Sequence, residues 1–505
     1  MMLIFAALAA TQPTMVQNDR GRASSQIAGA GQGQPIRSIL FVGTDAPRAV
    51  ARAAEKFVGK PNTKQTLAEL VGALSQAYED SPVALYTIAI PDQDFHDGIV
   101  KVALTEAGVE DVVIDGKGGF PRLKALSSPL IGNGPLARSR FERQIMLMRT
   151  IPGVTFDFST ENPDLDDEVT IRLKAKRKAV EAAVGLNNRG PDLLGDMVGD
   201  ARLDFNSLAI AGDRLRFSGG STIHFRRFRQ FGASYEAPIG TSGLTASSSV
   251  TFIRTRAKQF DLEGRARVAQ IALSYPLLRS FHRTADVSLS LDGVNSSNAL
   301  FGNVITSDRV RTFRAAAGYG LAKGKNRLQA SMVISKGVDA LGARVNPLVS
   351  EASFLKANAS VSYERDLSKR LIGRLSALGQ YSRDRLPASE FMSVGGATIG
   401  RAFDTALLSG DQGVGAVGEL AFRPIASGSF GKSEVYGYAD AGQVGLNGRP
   451  TSPRRRFDLA SAGIGVRANW KDKAEFGAEL GRVIDRPYPG YDQKWRLSLA
   501  YRLVM

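Results

Sequence analysis

The spacing of apolar and polar positions along the chain changes period near residue 177. Ahead of that point, helical and strand spacings alternate. Residues 36–42 form a short aliphatic run ending at Gly43, which predicts a strand. Residues 49–58 carry helical spacing that Gly59-Lys60-Pro61 stops. Residues 63–78 place Leu67, Leu70, Val71, Leu74 and Tyr78 on one helical face. Runs at 84–90 and 98–104 read as strands, and a shorter one at 109–114 closes the unit at Gly116. The order predicts a compact α+β module over residues 36–116. Residues 117–176 read as a degraded second copy. In it a helical stretch at 141–149 is broken by Ile151-Pro152-Gly153, and 154–158 and 169–175 are strand candidates. An open strand edge in such a module can take up an extended peptide.

From residue 177 to 505 the period is two. Ala285, Val287, Leu289 and Leu291 alternate with Asp286, Ser288, Ser290 and Asp292. Leu328, Ala330, Met332 and Ile334 oppose Arg327, Gln329 and Ser331. Trp495, Leu497, Leu499, Tyr501 and Leu503 alternate with Arg496, Ser498, Ala500 and Arg502. Successive side chains of a strand point to opposite faces, so each run has one apolar and one polar face. A soluble sandwich shows the same alternation with its polar face outward. Three features favour the inverse arrangement, a membrane barrel. The runs are ~8–11 residues long, enough to cross a bilayer at a tilt. No helical domain interrupts them. Aromatics such as Tyr235, Tyr275, Tyr381, Trp470 and Trp495 sit near run ends, as interfacial girdles do. At ~20 residues per strand and turn, the stretch holds roughly 16 antiparallel strands, a barrel with room for an aqueous lumen.

Charge and composition then narrow the chemistry. The net charge is +16, and Arg214, Arg216, Arg314, Arg374 and Arg496 fall on the polar faces of strands, where a barrel turns them into its lumen. The basic run 449–456 lies between strand runs and fits either an external loop touching lipid phosphates or a solvated loop. No basic helix or aromatic stacking platform accompanies the charge, which argues against nucleic acid. The absence of cysteine excludes disulfides, thiolate metal sites and Cys nucleophiles. His96, His224 and His282 show no ligand spacing, so no metal site is expected. Gly431-Lys432-Ser433 has Ala426 where a phosphate loop needs glycine, and no His-Glu-x-x-His stretch or serine elbow exists. Neither a catalytic residue nor a cofactor is therefore expected, and the chain reads as no enzyme. Residues 1–10 are apolar with Ala7-Leu8-Ala9 as a small-residue cleavage pattern, which reads as the remnant of a secretory signal, and 11–35 as a polar linker.

Several segments resemble the outer-membrane transporters of two-partner secretion, the haemolysin secretion/activation protein family. Residues 90–98 (Ile-Pro-Asp-Gln-Asp-Phe-His-Asp-Gly) are similar to the end of that family's first polypeptide-transport-associated (POTRA) domain. Phe141-Glu142-Arg143 with Ile151-Pro152-Gly153 resembles the second. Leu186-Asn187-Asn188-Arg189-Gly190 is similar to the approach to the first barrel strand, and 274–280 to a later strand. Leu386-Pro387-Ala388-Ser389-Glu390, Gly395-Gly396 and Gly400-Arg401-Ala402-Phe403 resemble the long loop that carries the family's Val-Arg-Gly-Phe/Tyr motif, with the flanking valine and glycine replaced here. Ser409-Gly410-Asp411 and Glu419-Leu420 continue the likeness. Tyr438-Ala439-Asp440-Ala441-Gly442 resembles the family's Phe-x-Asp-x-Gly strand motif, and residues 495–505 its C-terminal assembly signal.

The resemblance implies two POTRA domains (36–116 and 117–176) before a transmembrane barrel (177–505) in the bacterial outer membrane, with the front domains in the periplasm. It implies export of an unfolded partner exoprotein, β-helical in kind. Arg401 and Asp440 are expected to pair as guanidinium and carboxylate inside the lumen, flanked by the loop residues Gly400, Ala402 and Phe403 and the strand residues Tyr438 and Gly442. Outer-membrane lipid, lipopolysaccharide and the barrel-assembly machinery are expected partners. An assembly factor that inserts other barrels is the alternative, for which three to five docking domains would speak; the sequence holds two. A passive porin is disfavoured by the front domains.

Overall fold

The computed structural model describes residues 33–161, 168–257, 261–425, 427–450 and 452–505. The apolar leader at 1–10 and the linker up to residue 32 lie outside the described residues. The chain forms two compact units, one within residues 11–177 and one built from 178–505.

In the first unit, Ser38–Gly43 lies parallel to Ile99–Glu106, and Tyr86–Ala89 pairs antiparallel on the other side of that central strand. Helices Arg48–Glu55 and Lys64–Glu79 cover the sheet. The face read from the sequence is the buried one: Leu67, Leu70, Val71, Leu74 and Tyr78 all enter the core. Thr63 caps the longer helix by accepting the Thr66 N–H at 3.2 Å. Tyr78 stacks on Tyr86 with ring centroids 4.3 Å apart and donates its hydroxyl to Glu106. Burial, reinforced by Glu106, pushes the Tyr78 phenol well above its ordinary pKa.

The boundary expected at residue 116 is corrected by the pairing. Strand Gly108–Asp115 runs parallel to Glu168–Arg177, which pairs antiparallel with Val154–Glu161. With helices Pro121–Ser127 and Arg138–Met148 these strands repeat the β-α-α-β-β order of the first domain, sheet order included. The second copy is complete rather than degraded, and it begins at Gly108. Only Ala107 separates Ile99–Glu106 from Gly108–Asp115. A period-two run announces a strand but not the sheet it joins, because pairing is non-local.

Arg138, at the start of the second domain's helix, ties the two domains together. Its guanidinium donates to the carbonyls of Tyr78 (2.9 Å), Ser81 (2.8 Å) and Val83 (2.7 Å). The backbone adds Ala84 N–H to Leu136 O and Arg138 N–H to Pro82 O.

The second unit is a closed barrel of sixteen antiparallel strands. Its first strand, Val180–Asn187, zips to its last, Trp495–Val504. Leu186-Asn187-Asn188-Arg189-Gly190, expected at the approach to the first strand, lies at its far end instead. There the Asn188 side chain prolongs the seam, donating to Leu497 O (2.9 Å) and accepting the Leu499 N–H (2.7 Å). The burial pattern is that of a soluble protein turned inside out. Phe231, Ile271, Leu289, Ile464 and Leu497 stand exposed on the outer wall, whereas Asp204, Asp292, Asn358, Glu434, Asp440 and Glu479 are buried inside. That inversion separates a membrane barrel from a sandwich. No described helix is long and apolar enough to cross a membrane; the strands do so.

Arg138→Ala deletes three charge-assisted bonds at the joint between the front domains. Amide exchange around residues 78–84 and 136–138 is expected to accelerate, with the barrel amides unchanged, as read by hydrogen-exchange mass spectrometry on the full chain.

Candidate functional site

Between the barrel strands Leu371–Ser382 and Gln412–Phe422 the chain makes a long excursion, 383–411, that folds into the lumen. Within it Met392–Val394 pairs with Leu408–Gly410, so the loop is itself a short hairpin. Its hydrophobic side forms a buried cluster of Met392, Val394, Ile399, Phe403 and Leu408 with Val417, Tyr436, Tyr438, Val444 and Leu459 of the wall. The wall makes room by omitting side chains. A Cβ on Gly442 would stand 2.7 Å from Ile399 Cγ2, and one on Gly481 3.0 Å from Ala402 Cβ.

Three polar anchors fix the loop at different depths. At the rim, the fully buried carboxylate of Asp411 accepts the backbone N–H groups of Leu386 (2.7 Å) and Asn447 (2.7 Å) and both terminal nitrogens of Arg449 (3.0 and 3.1 Å). Arg449 therefore serves neither lipid nor solvent; its side chain is only 9% exposed and joins this loop to its neighbour. Deeper in, Glu390 meets Arg314 (2.8 Å) and Lys356 (2.7 Å), and its carbonyl accepts from Lys356 and Gln380. Arg314 also holds Asp292 and Ser335, so this anchor engages the wall built by residues 283–382.

The third anchor is the loop tip, on the opposite side of the strand order. Arg401 and Asp440 do meet, but not as expected. Asp440 Oδ2 accepts the backbone N–H of Arg401 (3.0 Å), and Oδ1 accepts the Ser461 hydroxyl (2.6 Å), whose oxygen in turn accepts the Ala402 N–H. The Arg401 guanidinium instead reaches Glu419 (3.0 Å) and Glu479 (3.3 Å), lying over the Tyr438 ring at 4.6 Å. The division follows from reach. The short aspartate reaches the loop only at its backbone, while the long arginine extends to glutamates on the strands Gln412–Phe422 and Ala474–Asp485. Gly400 supplies the left-handed turn (φ 76°), and Ala402 has no positive φ, so alanine is accommodated where the motif has glycine. Phe403 is fully buried against Tyr491, with ring centroids 5.5 Å apart. Gly442 is the floor beneath Ile399 already described.

The glutamates extend the network. Glu479 also receives Arg189 (2.6 Å) and the Tyr436 hydroxyl (2.8 Å). Arg189 donates to the Arg401 carbonyl (3.2 Å), and its own carbonyl accepts the Thr405 hydroxyl (2.5 Å). Glu419 is shared with Arg374 (2.8 Å) and Arg467 (2.7 Å), both of which also hold Glu434. Asp404 pairs with Arg496. The lumenal arginines expected from alternation, Arg214, Arg216, Arg314, Arg374 and Arg496, all face inward and each is matched by a carboxylate.

Sequence reasoning missed Glu390, Asp411, Arg189, Glu419 and Glu479 as working residues. Four of them lay inside stretches singled out by resemblance, and Glu479 lay on the polar face of its strand. What the sequence did not carry was which of many lumenal carboxylates the tip would reach.

A family model for haemolysin secretion/activation protein ShlB/FhaC/HecB matches residues 167–468. No curated protein sequence matches significantly. Among solved structures, CdiB from Escherichia coli superposes with a TM-score of 0.69 at 18% identity, covering 97% of this chain and 93% of that one. CdiB from Acinetobacter baumannii gives 0.64 at 19%, covering 97% and 92%. BamA from Haemophilus ducreyi lacking POTRA domains 1–3 gives 0.58 at 14%, covering 94% and 99%. At these identities the structures establish a shared fold, POTRA domains followed by an outer-membrane barrel, and the family model establishes kinship over more than half the chain. The chain belongs to the haemolysin secretion/activation protein ShlB/FhaC/HecB family and is an outer-membrane transporter of two-partner secretion, its front domains in the periplasm and a secreted exoprotein as its partner.

Proposed function

We propose that the loop 383–411 is the gate of this transporter and that the tip around Arg401 and Asp440 is its catch. The observation that supports it best is the distribution of the anchors: the loop is tied to both halves of the wall, so a chain passing through the lumen must displace it. The tip is the part built for release. Its bonds are side-chain bonds and the backbone N–H groups of Arg401 and Ala402, whereas the rim anchor at Asp411 secures both feet of the loop. Gly400, Ala402 and Phe403 shape the tip, and Tyr438 and Gly442 shape its seat.

In this reading the two front domains, divided at Gly108, receive the unfolded partner by strand addition. Each sheet keeps outer strands for the purpose, Ser38–Gly43 and Tyr86–Ala89 in one and Gly108–Asp115 and Val154–Glu161 in the other. The partner is a repetitive, β-helical exoprotein, and its folding outside the cell supplies the driving force. The barrel-assembly machinery reads the last strand, Trp495–Val504, and outer-membrane lipid and lipopolysaccharide surround the finished wall.

Deleting the gene and comparing secreted proteins tests the transport reading; a single large secreted protein is expected to vanish. Arg401→Ala and Asp440→Ala are each expected to lower release of that protein severalfold while the barrel still shows heat-modifiable electrophoretic mobility. Normal release from both variants would remove the catch. A complementary variant works by steric displacement alone. Gly442→Val sets new atoms against Ile399, so the loop should lift and the ionic conductance of the reconstituted barrel should rise. A conductance equal to that of the unmodified protein would show that the loop does not obstruct the pore.

A further inference from the structure

The outer wall carries a charge feature that the gate does not use. Four strands of one wall, Phe228–Ile239, Leu244–Arg256, Leu262–Arg279 and Asn303–Lys323, bear arginines near the end from which loop 383–411 springs, with the arginine-free end of Arg283–Leu300 between the last two. That end is extracellular, since the chain enters the barrel from the periplasmic domains at the other. Parity fixes their direction. Gln270 donates to Asp292 inside the lumen, so Arg265 and Arg267 face outward with the exposed Ile271. Arg229 shares the outer face of the exposed Phe231, and Arg254 that of the exposed Phe252. Thr312 is buried beside Asp292, so Arg309 and Arg311 face outward with the exposed Phe313.

The register sets these charges against one another. Arg229 lies directly opposite Arg254, and Arg254 directly opposite Arg265. Arg267 stands opposite Phe252, and Arg309 opposite Asn295. Like charges facing each other across a sheet repel. The acids nearby are already engaged: Asp261 by Arg256 (2.9 Å), and Glu263 by Arg256 and Arg265 (3.7 Å each). Among the described residues no carboxylate pairs with Arg229, Arg254, Arg267 or Arg309. A row of unmatched cations on a lipid-facing wall calls for anions from outside the chain.

A second observation says which anions. Immediately toward the membrane from the row, the same wall carries an apolar groove of about 550 Å³. Tyr235, Val250, Ala269, Ile271, Gly293 and Arg311 line it. Cations above a greasy groove match a lipid whose head is phosphorylated and whose chains descend into the bilayer. From the position of the row at the extracellular end, that lipid belongs to the outer leaflet. We propose that this face is a binding site for the phosphorylated glycolipid of the outer leaflet, the lipid A portion of lipopolysaccharide, with Arg229, Arg254, Arg267 and Arg309 holding its phosphates and the groove holding an acyl chain. The assignment rests on the outer-membrane transporter reading and gives its lipid partner a location.

The test uses the intact protein in detergent and native mass spectrometry. It is titrated with bis-phosphorylated lipid A, with the same lipid stripped of phosphate, and with phosphatidylglycerol. The unmodified protein is expected to retain bis-phosphorylated lipid A best. The triple variant Arg254→Gln/Arg267→Gln/Arg309→Gln is expected to lose that binding by at least about tenfold, while keeping heat-modifiable mobility. Should the triple variant fail to assemble, Arg254→Gln and Arg309→Gln alone are each expected to weaken binding severalfold. Equal binding by variant and unmodified protein would overturn the site. So would equal binding of the phosphate-free lipid, or of phosphatidylglycerol, since the first shows a merely apolar contact and the second a merely anionic one. Failure of the transporter reading is seen separately, as an unchanged set of secreted proteins on gene deletion.

Discussion

Every other feature of the barrel depends on one constraint: in a bilayer the backbone has no water to bond with, so each strand must find a strand on both sides. Sixteen strands meet that demand only because Val180–Asn187 returns to Trp495–Val504, and the Asn188 side chain carries the seam past the last backbone pair. Closure then decides where polar residues go. With lipid outside, the hydrophilic half of each alternating strand has only the lumen, which fills with arginines and carboxylates. A lumen so charged is a ready seat for a loop that brings charges of its own.

The loop 383–411 uses that seat in a way that makes its parts interdependent. Glu419 serves Arg401, Arg374 and Arg467 at once, and Glu479 serves Arg401, Arg189 and Tyr436. Removing one member of a buried ion pair typically costs about 3–5 kcal/mol, because its partner is left charged and dry. The same network that holds the tip firmly can therefore re-pair without it. When the Arg401 guanidinium withdraws, Arg467 and Arg374 still neutralise Glu419, and Arg189 still neutralises Glu479. That redundancy lets a loop be held by charges yet leave without stranding them.

The fold was legible in the sequence to the extent that period two is a local signal. Alternation from residue 177 gave the strands, their approximate number and the inward-facing arginines, because each depends on neighbours two positions apart. Features that depend on distant partners were not legible. Strand 108–115 was placed in the wrong module because nothing in its own residues names Glu168–Arg177 as its mate. Arg401 and Asp440 were expected to pair through guanidinium and carboxylate, yet the atoms that touch are a backbone amide and a carboxylate. The resemblance located the residues, while the length of each side chain decided the bonds.

Arginine itself shows how far position outweighs residue type. The chain places it on both faces of the same strands, as in Asn303–Lys323, where Arg314 is buried on Asp292 and Glu390 while Arg309 and Arg311 stand outside. The inner arginines are matched within the chain because the lumen is walled off and any unmatched charge there would remain unscreened. Outer arginines are tolerated only near the bilayer edge, where the cost of a charge falls from about 2–4 kcal/mol at the midplane toward zero. Their clustering on four of sixteen strands, rather than in an even ring, is what a specific head group requires and what general solvation does not explain. One wall of the barrel thus faces the membrane with its outer arginines and, through Arg314, holds the loop 383–411. Through the strand that carries both Arg309 and Arg314, a lipid held outside and the loop anchored inside are joined by five residues of β-strand.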